Sequence, residues 1–199
     1  MGWFRKQDLP SGYGVLLRGP RLELRPPASG DFQGWRELRE ASRDFLVPWE
    51  PSWPADATAQ SAFKQRLRYG RREWLGDQSY GFLIFRREDA RVVGGVTLGQ
   101  VRRGVAQAAS LGYWIGAPYQ RQGYMTESLT LLIEHGFNVM GLHRIEAACL
   151  PENAASRGLL LKLGFREEGR ARQFLRINGR WQDHMLFALV ASDPRPRLE

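Results

Sequence analysis

The sequence predicts an α/β domain built on a mixed, mostly antiparallel sheet with helices on both faces. Three observations carry that prediction. Strand-length stretches with two-residue alternation or continuous apolar runs recur from Leu22 to the Asn178-Gly179 turn. Helical spacings of three and four residues interrupt them, most clearly after Gly123. The apolar (43%) and charged (25%) fractions over 199 residues are those of one ordinary globular domain. A chain of this length buries about 70% of its unfolded surface, so it needs no disulfide or metal staple.

Leu22 and Leu24 alternate with Glu23 and Arg25, a short strand that Pro26-Pro27 stops. Asp31 reads as an N-cap, and Phe32, Trp35, Leu38, Ser42 and Phe45 follow at helical spacing. The segment Val47-Pro48-Trp49-Glu50-Pro51-Ser52-Trp53-Pro54 cannot continue that helix, because its prolines remove donors and fix the backbone. A second helix is expected from about Thr58 to Trp74.

From Tyr80 the character changes. Phe82 to Phe85, Arg91 to Gln100 (carrying Gly94-Gly95) and Gln107 to Ile115 are adjacent strands, read as an antiparallel meander. Met125, Leu129, Leu132, Ile133, Gly136, Phe137 and Met140 then mark the clearest helix, closed by Gly141. Arg144 to Leu150 alternates as a strand with Ile145, Ala147 and Cys149 on one face. Pro151-Glu152-Asn153 supplies a turn and N-cap for a helix ending at Leu163-Gly164, and the last two strands flank Asn178-Gly179. Pro10 to Gly19 and Ser192 to Glu199 read as the ends of a single domain spanning 1–199, with a core of about 21–190.

Composition excludes several classes. The single cysteine, Cys149, forbids an internal disulfide framework and fits a reducing cytoplasm. No apolar run approaches the roughly 20 residues of a membrane span, and Met1 to Asp8 lacks the apolar core of a signal peptide. A cytoplasmic protein is expected, neither secreted nor membrane-bound. The net charge of +8 favours polyanionic partners: nucleic acid, a ribosome or a phosphate-bearing cofactor. Only Lys6, Lys64 and Lys162 are lysines, and the scattered arginines fit a genome-wide codon preference equally well.

Common chemistries are absent as well. There is no G-x-S-x-G elbow and no G-x-x-x-x-G-K loop. His135, His143 and His184 lack metal-ligand spacing, and one cysteine cannot build a zinc site, so no metal is expected. His135, beside the apolar stripe of its helix, reads as a structural histidine.

What remains is the junction from Trp114 to Glu127. It is a strand end, a short loop and the start of the best helix. A helix N-terminus offers unpaired N–H groups and about half a positive charge, so a phosphate docks there. Gly123 lets the backbone approach the anion, and Arg121 adds a cation. A loop into a helix often holds a glycine for structural reasons alone. The second constellation is Pro151-Glu152-Asn153-Ala154-Ala155-Ser156 followed by Leu159, Leu160, Leu163, Gly164 and Phe165. Asn153 and Ser156 also read as a helix cap and a first-turn residue.

Together these two segments resemble the GNAT superfamily of N-acetyltransferases. In that superfamily the motif Q/R-x-x-G-x-G/A binds the pyrophosphate of acetyl-CoA, and here it stands as Gln120-Arg121-Gln122-Gly123-Tyr124-Met125, with methionine in the sixth position. The resemblance extends from about Arg21 to Val190. It is most specific to bacterial ribosomal-protein alanine N-terminal acetyltransferases of the RimJ/RimL type, through Phe45-Leu46-Val47-Pro48-Trp49-Glu50-Pro51, Leu111 to Gly116, His143-Arg144-Ile145, Leu163-Gly164-Phe165, Glu168-Gly169 and Gly179 to His184.

The resemblance implies a GNAT fold whose sheet splays between its fourth and fifth main strands, between the strand ending at Ile115 and the one starting near Arg144. Acetyl-CoA would lie in that gap as co-substrate, with the amine entering from the other side. Its pantetheine would pair with the backbone of Tyr113, Trp114, Ile115 and onward to Ala117. Its pyrophosphate would meet Gln120, Arg121, Gln122, Gly123, Tyr124, Met125 and Thr126, and Asn153 would bond the pantetheine arm. By the same resemblance Ser156 would protonate the departing thiolate and Glu146 would take the amine's proton. Glu146 reads equally as an ion pair on a strand face shared with Arg144 and Ala148. Gln173-Phe174-Leu175 stands where related enzymes carry an acidic side chain. Trp49 and Glu50 would line the acceptor site.

The expected acceptor is a protein N-terminus, ribosomal in the RimJ/RimL case. Contact with the ribosome or its RNA is allowed, DNA and membrane are not expected, and the chain would be a monomer or homodimer. Two other readings stand beside this: an acetyltransferase for a small amine (polyamine, amino acid or antibiotic), and a non-catalytic ribosome- or RNA-binding module on the same fold. The last should show basic residues interleaved with surface aromatics on one face. The linear sequence displays no such cluster.

Overall fold

A computed structural model describes residues 14–196. Met1 to Asp8 and the end of the C-terminal tail, on which two of the readings above fall, lie outside the described residues. In chain order the elements are β1 (Leu17–Arg18), β2 (Leu22–Arg25), α1 (Phe32–Ala41), α2 (Arg43–Leu46), α3 (Gln60–Leu75), β3 (Tyr80–Arg86), β4 (Val92–Arg102), β5 (Ala108–Ile115), α4 (Tyr124–Asn138), β6 (Arg144–Cys149), α5 (Ala154–Lys162), β7 (Arg166–Ile177) and β8 (Arg180–Val190). They form one sheet in the order β1-β2-β3-β4-β5-β6-β8-β7, antiparallel except between β5 and β6. Parallel neighbours need a crossover, and α4 supplies it. The mixed, mostly antiparallel sheet with helices on both faces is the architecture the sequence predicts.

Two apolar clusters sandwich the sheet. On one face α4 and α5 bury Leu129, Leu132, Ile133, Leu160 and Leu163 against Ile84, Leu98, Ala109 and Ile145. On the other, α1 and α3 pack Trp35, Leu38 and Phe63 on Leu83, Phe85 and Val92. Strand alternation explains the division, since successive side chains of β3 go to opposite faces.

The decisive feature is where pairing stops. β5 and β6 are joined from Ala108↔Arg144 to Leu111↔Ala147, and no further. β5 runs on to Ile115 in register with β4, while β6 runs on to Cys149 in register with β8. These are the fourth and fifth main strands of the sequence reading, renumbered because β1 precedes them. Beyond Leu111 each strand stays with its outer neighbour, and a wedge opens between them. Glycine brings β5 and β4 close there: a Cβ on Gly94 would sit 2.4 Å from the Trp114 carbonyl, and one on Gly95 would sit 2.5 Å from its indole nitrogen.

One expectation needs correction, and both ends of the described chain hold packed residues. Leu17 is buried, and β1 pairs with β2. Asp31 does not cap α1 with its side chain; that carboxylate grips Arg25 through two bonds, at 2.6 and 2.8 Å, and accepts the Ala28 N–H. At the other end, Arg195 pairs with Glu134 and lies over the Phe137 ring, and Asp193 pairs with Arg166.

Gly94→Ala should be markedly destabilising, because its Cβ would meet backbone, which cannot rotate aside. Overpacking of this kind costs about 1–3 kcal/mol. Urea unfolding followed by circular dichroism should show a lowered midpoint at unchanged slope, and an unchanged midpoint would mean that β4 and β5 separate freely.

Candidate active site

Asn153 and Ser156 meet at the head of α5, as their spacing implies. The Asn153 Oδ1 accepts the Ser156 N–H at 3.0 Å, which caps α5 and fixes the serine at the wedge. The Ser156 Oγ lies 2.7 Å from the Tyr113 hydroxyl, one on α5 and the other on β5, so this bond spans the gap between the diverging strands. The sequence reading cast Tyr113 only as a backbone partner. Strand alternation, which puts it on the same face as Leu111, was the signal for its side chain. Burial pushes the Tyr113 phenol up to about 12, against the lowering influence of the Ser156 bond. Cys149, at the end of β6, is likewise raised by burial. Both stay protonated at neutral pH.

At the other end of the wedge the chain enters α4 through a 3-10 turn, Ala117–Tyr119. Ser42, which ends α1 and is 1% exposed, holds this loop by accepting the Ala117 N–H at 2.9 Å. Arg121 (φ +56°) and Gly123 (φ +78°) both take left-handed conformations, and Gly123 immediately precedes α4 with no side chain capping it. The first-turn N–H groups are thus left to solvent or a ligand. Gln120 and Gln122 brace the loop instead, donating to the carbonyls of Ala117 and Pro118. Tyr124 and Met125 are core side chains at 9% exposure, the Tyr124 ring edge-on to Tyr119 of the 3-10 turn; Thr126 is half-buried.

A cation that sequence reasoning missed also stands here. Arg21 donates to the Gln122 carbonyl at 2.9 Å, pairs with the buried Glu127 and lies 4.8 Å over the Tyr124 ring. More than a hundred residues separate it from the loop in sequence, so no local pattern could disclose it.

On the opposite face of the sheet, a cavity of about 430 Å³ lies between α3, the proline-tryptophan loop and β4–β5. Its lining includes Gly112, Tyr113 and Trp114, so β5 is a wall common to cavity and wedge. Gly112 has nothing within 4 Å of where a Cβ would be. Glu50 and Trp53 line this cavity, and Trp49, a partly exposed neighbour on the same loop, is not among its lining residues. Both Glu50 oxygens are engaged by Arg39, at 2.6 and 2.8 Å, and one also accepts the Trp53 indole N–H. Arg66 lines the same cavity without an ion pair among the described residues, and burial, then the charge of Arg39, lowers its pKa.

Glu146 sits where β5 and β6 are still paired, opposite Ser110. One oxygen takes Arg144 and the other Arg102, and Arg144 also binds Glu168. Burial would raise the Glu146 carboxyl, but the two guanidiniums outweigh it and hold it below its ordinary value. This is the ion pair on a strand face, and it leaves a weak proton acceptor. His135 is buried among core residues, edge-on to Phe82, with its Nδ1 unpartnered. Among the described residues no cluster of three or more His, Cys, Asp or Glu could hold a metal, and no helix is long and apolar enough to cross a membrane.

Comparison with known proteins places these features in context. The acetyltransferase (GNAT) domain profile matches residues 21–166. The [ribosomal protein uS5]-alanine N-acetyltransferase of Escherichia coli is 34% identical over 184 residues, 92% of this chain and 94% of that protein. A structure of Mycobacterium smegmatis RimJ in complex with CoA-disulfide superposes with a TM-score of 0.82 at 35% identity, covering 89% of this chain and 86% of that one. The ribosomal-protein-S5-alanine acetyltransferase of Vibrio fischeri gives 0.83 at 29%, covering 92% and 100%.

The Glu146 network yields a pH prediction. A carboxyl lowered on folding stabilises the protein above its unfolded pKa, and that stability is lost as pH falls through the folded value. Glu146→Gln should therefore unfold more easily than the parent at pH 7, with the difference shrinking toward pH 3, while turnover at pH 7 stays within about threefold. A collapse of turnover with unchanged stability would return Glu146 to the role of base.

Proposed function

Since the chain belongs to the GNAT family of acetyltransferases and is an N-acetyltransferase of the kind that modifies ribosomal proteins, we propose that it acetylates the N-terminal α-amine of a ribosomal protein that begins with alanine, directly from acetyl-CoA. The observation that carries the reading is the Tyr113–Ser156 hydroxyl pair, held at 2.7 Å in the wedge with the cavity behind it.

The residues present fit acetyl-CoA. β5 from Gly112 to Ile115 has no β6 partner, so its free edge can pair with an extended amide arm. Asn153, its oxygen occupied by the cap, still has amide N–H groups to donate. The start of α4, with Gly123, Arg121 and Arg21, suits a pyrophosphate. Bound there, acetyl-CoA supplies an acetyl group activated as a thioester.

The chain's own residues then do two things. Ser156 donates its proton to the sulfur that must leave, and Tyr113, a neutral phenol, restores it through the 2.7 Å bond. The proton shed by the acylated amine returns to Tyr113 through solvent, so that one proton passes in net from nitrogen to sulfur. Cys149 remains a thiol and does not compete as a nucleophile, consistent with direct transfer. In the cavity Arg39 neutralises Glu50 and Arg66 adds a further positive charge, which favours an amine in its neutral, nucleophilic form. An α-amine ordinarily titrates near 7.7–8.0 and a lysine near 10.4, so the α-amine is neutralised at far lower cost. This supports an N-terminal acceptor and lets Glu50 shape the cavity without drawing in a cation.

Ser156→Ala and Tyr113→Phe should each lower turnover on alanine-starting peptides by about 10²–10⁴-fold at nearly constant acetyl-CoA affinity. If the hydroxyls act as one relay, the double variant should be no slower than the slower single. Faster turnover on free polyamines or amino acids than on peptides would make the acceptor a small amine. Gly123→Ala places a Cβ 3.2 Å from the Arg21 guanidinium in a left-handed conformation. Calorimetry should show acetyl-CoA affinity at least tenfold weaker, about 1.4 kcal/mol, and an unchanged affinity would remove the loop from the cofactor site.

A further inference from the structure

The surplus positive charge is not spread evenly once ion pairs are drawn. Arginines 18, 21, 25, 36, 39, 86, 91, 102, 103, 144, 157, 166, 170 and 195 all meet carboxylates. On α3, by contrast, Lys64, Arg66, Arg68 and Arg71 form no ion pair among the described residues, and Arg72 reaches Glu73 only at 3.9 Å. Lys64, Arg68 and Arg71 are exposed and spaced i, i+4, i+7, so they form one row along the helix. Exposed Tyr69 lies against Arg72 on the same helix. The β7–β8 hairpin repeats the pattern: Arg172, Arg176 and Arg180 have no ion pair among the described residues, and Arg176 is the cross-strand partner of Trp181, which is 62% exposed.

The hairpin borders the cavity on the α1/α3 face, and the Lys64, Arg68 and Arg71 row runs along the flank of α3 that faces away from it. Arg66, Tyr69, Gly70 and Glu73 present one side of α3 to it or to the adjoining 300 Å³ cavity. The hairpin tip is tied to the cavity's loop, the Asn178 N–H donating to the Glu50 carbonyl at 2.9 Å. Unpaired basic residues beside exposed aromatics thus stand on both elements, a pattern that the linear sequence hides because about a hundred residues separate them.

We propose that α3 and the β7–β8 hairpin bind structured RNA, the α3 row contacting phosphates and Trp181 stacking on an unpaired base. Guanidiniums suit phosphate oxygens through paired N–H donors, and exposed rings beside cations are a platform for bases. A membrane fits less well, since the apolar side of α3 is already buried through Phe63 against Trp35 and Phe32.

The test uses the full chain and a fluorescent RNA stem-loop of about 20 nucleotides, titrated by anisotropy from 50 to 300 mM KCl. Wild type should bind with steep salt dependence. Lys64→Gln/Arg68→Gln/Arg71→Gln should bind at least tenfold more weakly, with the slope of log K against log salt reduced by about two. Its acetylation of a free peptide should stay within twofold of wild type, which also shows that it folds. Trp181→Ala should weaken binding to the stem-loop and not to a fully paired duplex, an arm independent of α3. No binding at 50 mM KCl, equal binding by the triple variant, or equal or tighter binding to polyglutamate or to phosphatidylserine vesicles would each overturn the proposal. Because the readout is RNA affinity, its failure leaves the acetylation reading standing, and loss of peptide acetylation in wild type leaves this one standing.

Discussion

β5 and β6 cease to pair after Leu111 and Ala147, and the site's geometry depends on that failure. A sheet ordinarily satisfies its backbone groups strand by strand, and groups left unpaired in a protein interior are costly. Here each strand keeps its outer neighbour, β5 with β4 through Gly94↔Ile115 and β6 with β8 through Cys149↔Met185. The inner edge of β5 is thus available to a ligand without loss of the sheet. The same divergence brings the Tyr113 hydroxyl to Ser156 on the helix that follows β6. It also leaves β5 with one face toward α4 and the other toward the cavity beside α3.

The electrostatics divide along similar lines. Where arginine serves architecture it is matched by a carboxylate: Arg25 with Asp31, Arg21 with Glu127, Arg144 with Glu146 and Glu168. Most of these pairs are partly solvated and individually contribute little to stability. Their consequence is to confine unneutralised charge to a few places. Those places include the loop before α4, with Arg121, the outer flank of α3 and the β7–β8 hairpin. A chain with a net charge of +8 need not present a uniformly basic surface, and this one does not.

Much of the fold was legible because its signals are local. The α4 stripe, the Asn153 cap and the left-handed Asn178-Gly179 turn (φ +42° and +79°) depend on residues within one or two turns of each other. The antiparallel meander follows from short connections between adjacent strands. The one misreading has a cause too. Asp31 looked like a cap because caps are judged by position, but Arg25 on β2 offered its carboxylate a stronger bidentate partner. Which loop tryptophan meets the cavity is likewise beyond local reading: Trp49 and Trp53 are the same residue type, and the packing of the loop against Arg39 turns Trp53 to it.

By itself the sequence determined which elements form, which faces they bury, and that a glycine-led helix start and an Asn-x-x-Ser helix start belong to one chain. Each of these rests on backbone conformation and periodicity, which neighbouring residues set. Only the tertiary structure decided that Tyr113 faces Ser156, that Arg21 stands at the α4 loop, and that Glu146 is locked to Arg102. Those relations, Tyr113 to Ser156, Arg21 to Gln122 and Glu146 to Arg102, join groups 43 to 101 residues apart. They exist only once strand register and the divergence of β5 from β6 have fixed where each element lies, and no local pattern encodes that distance.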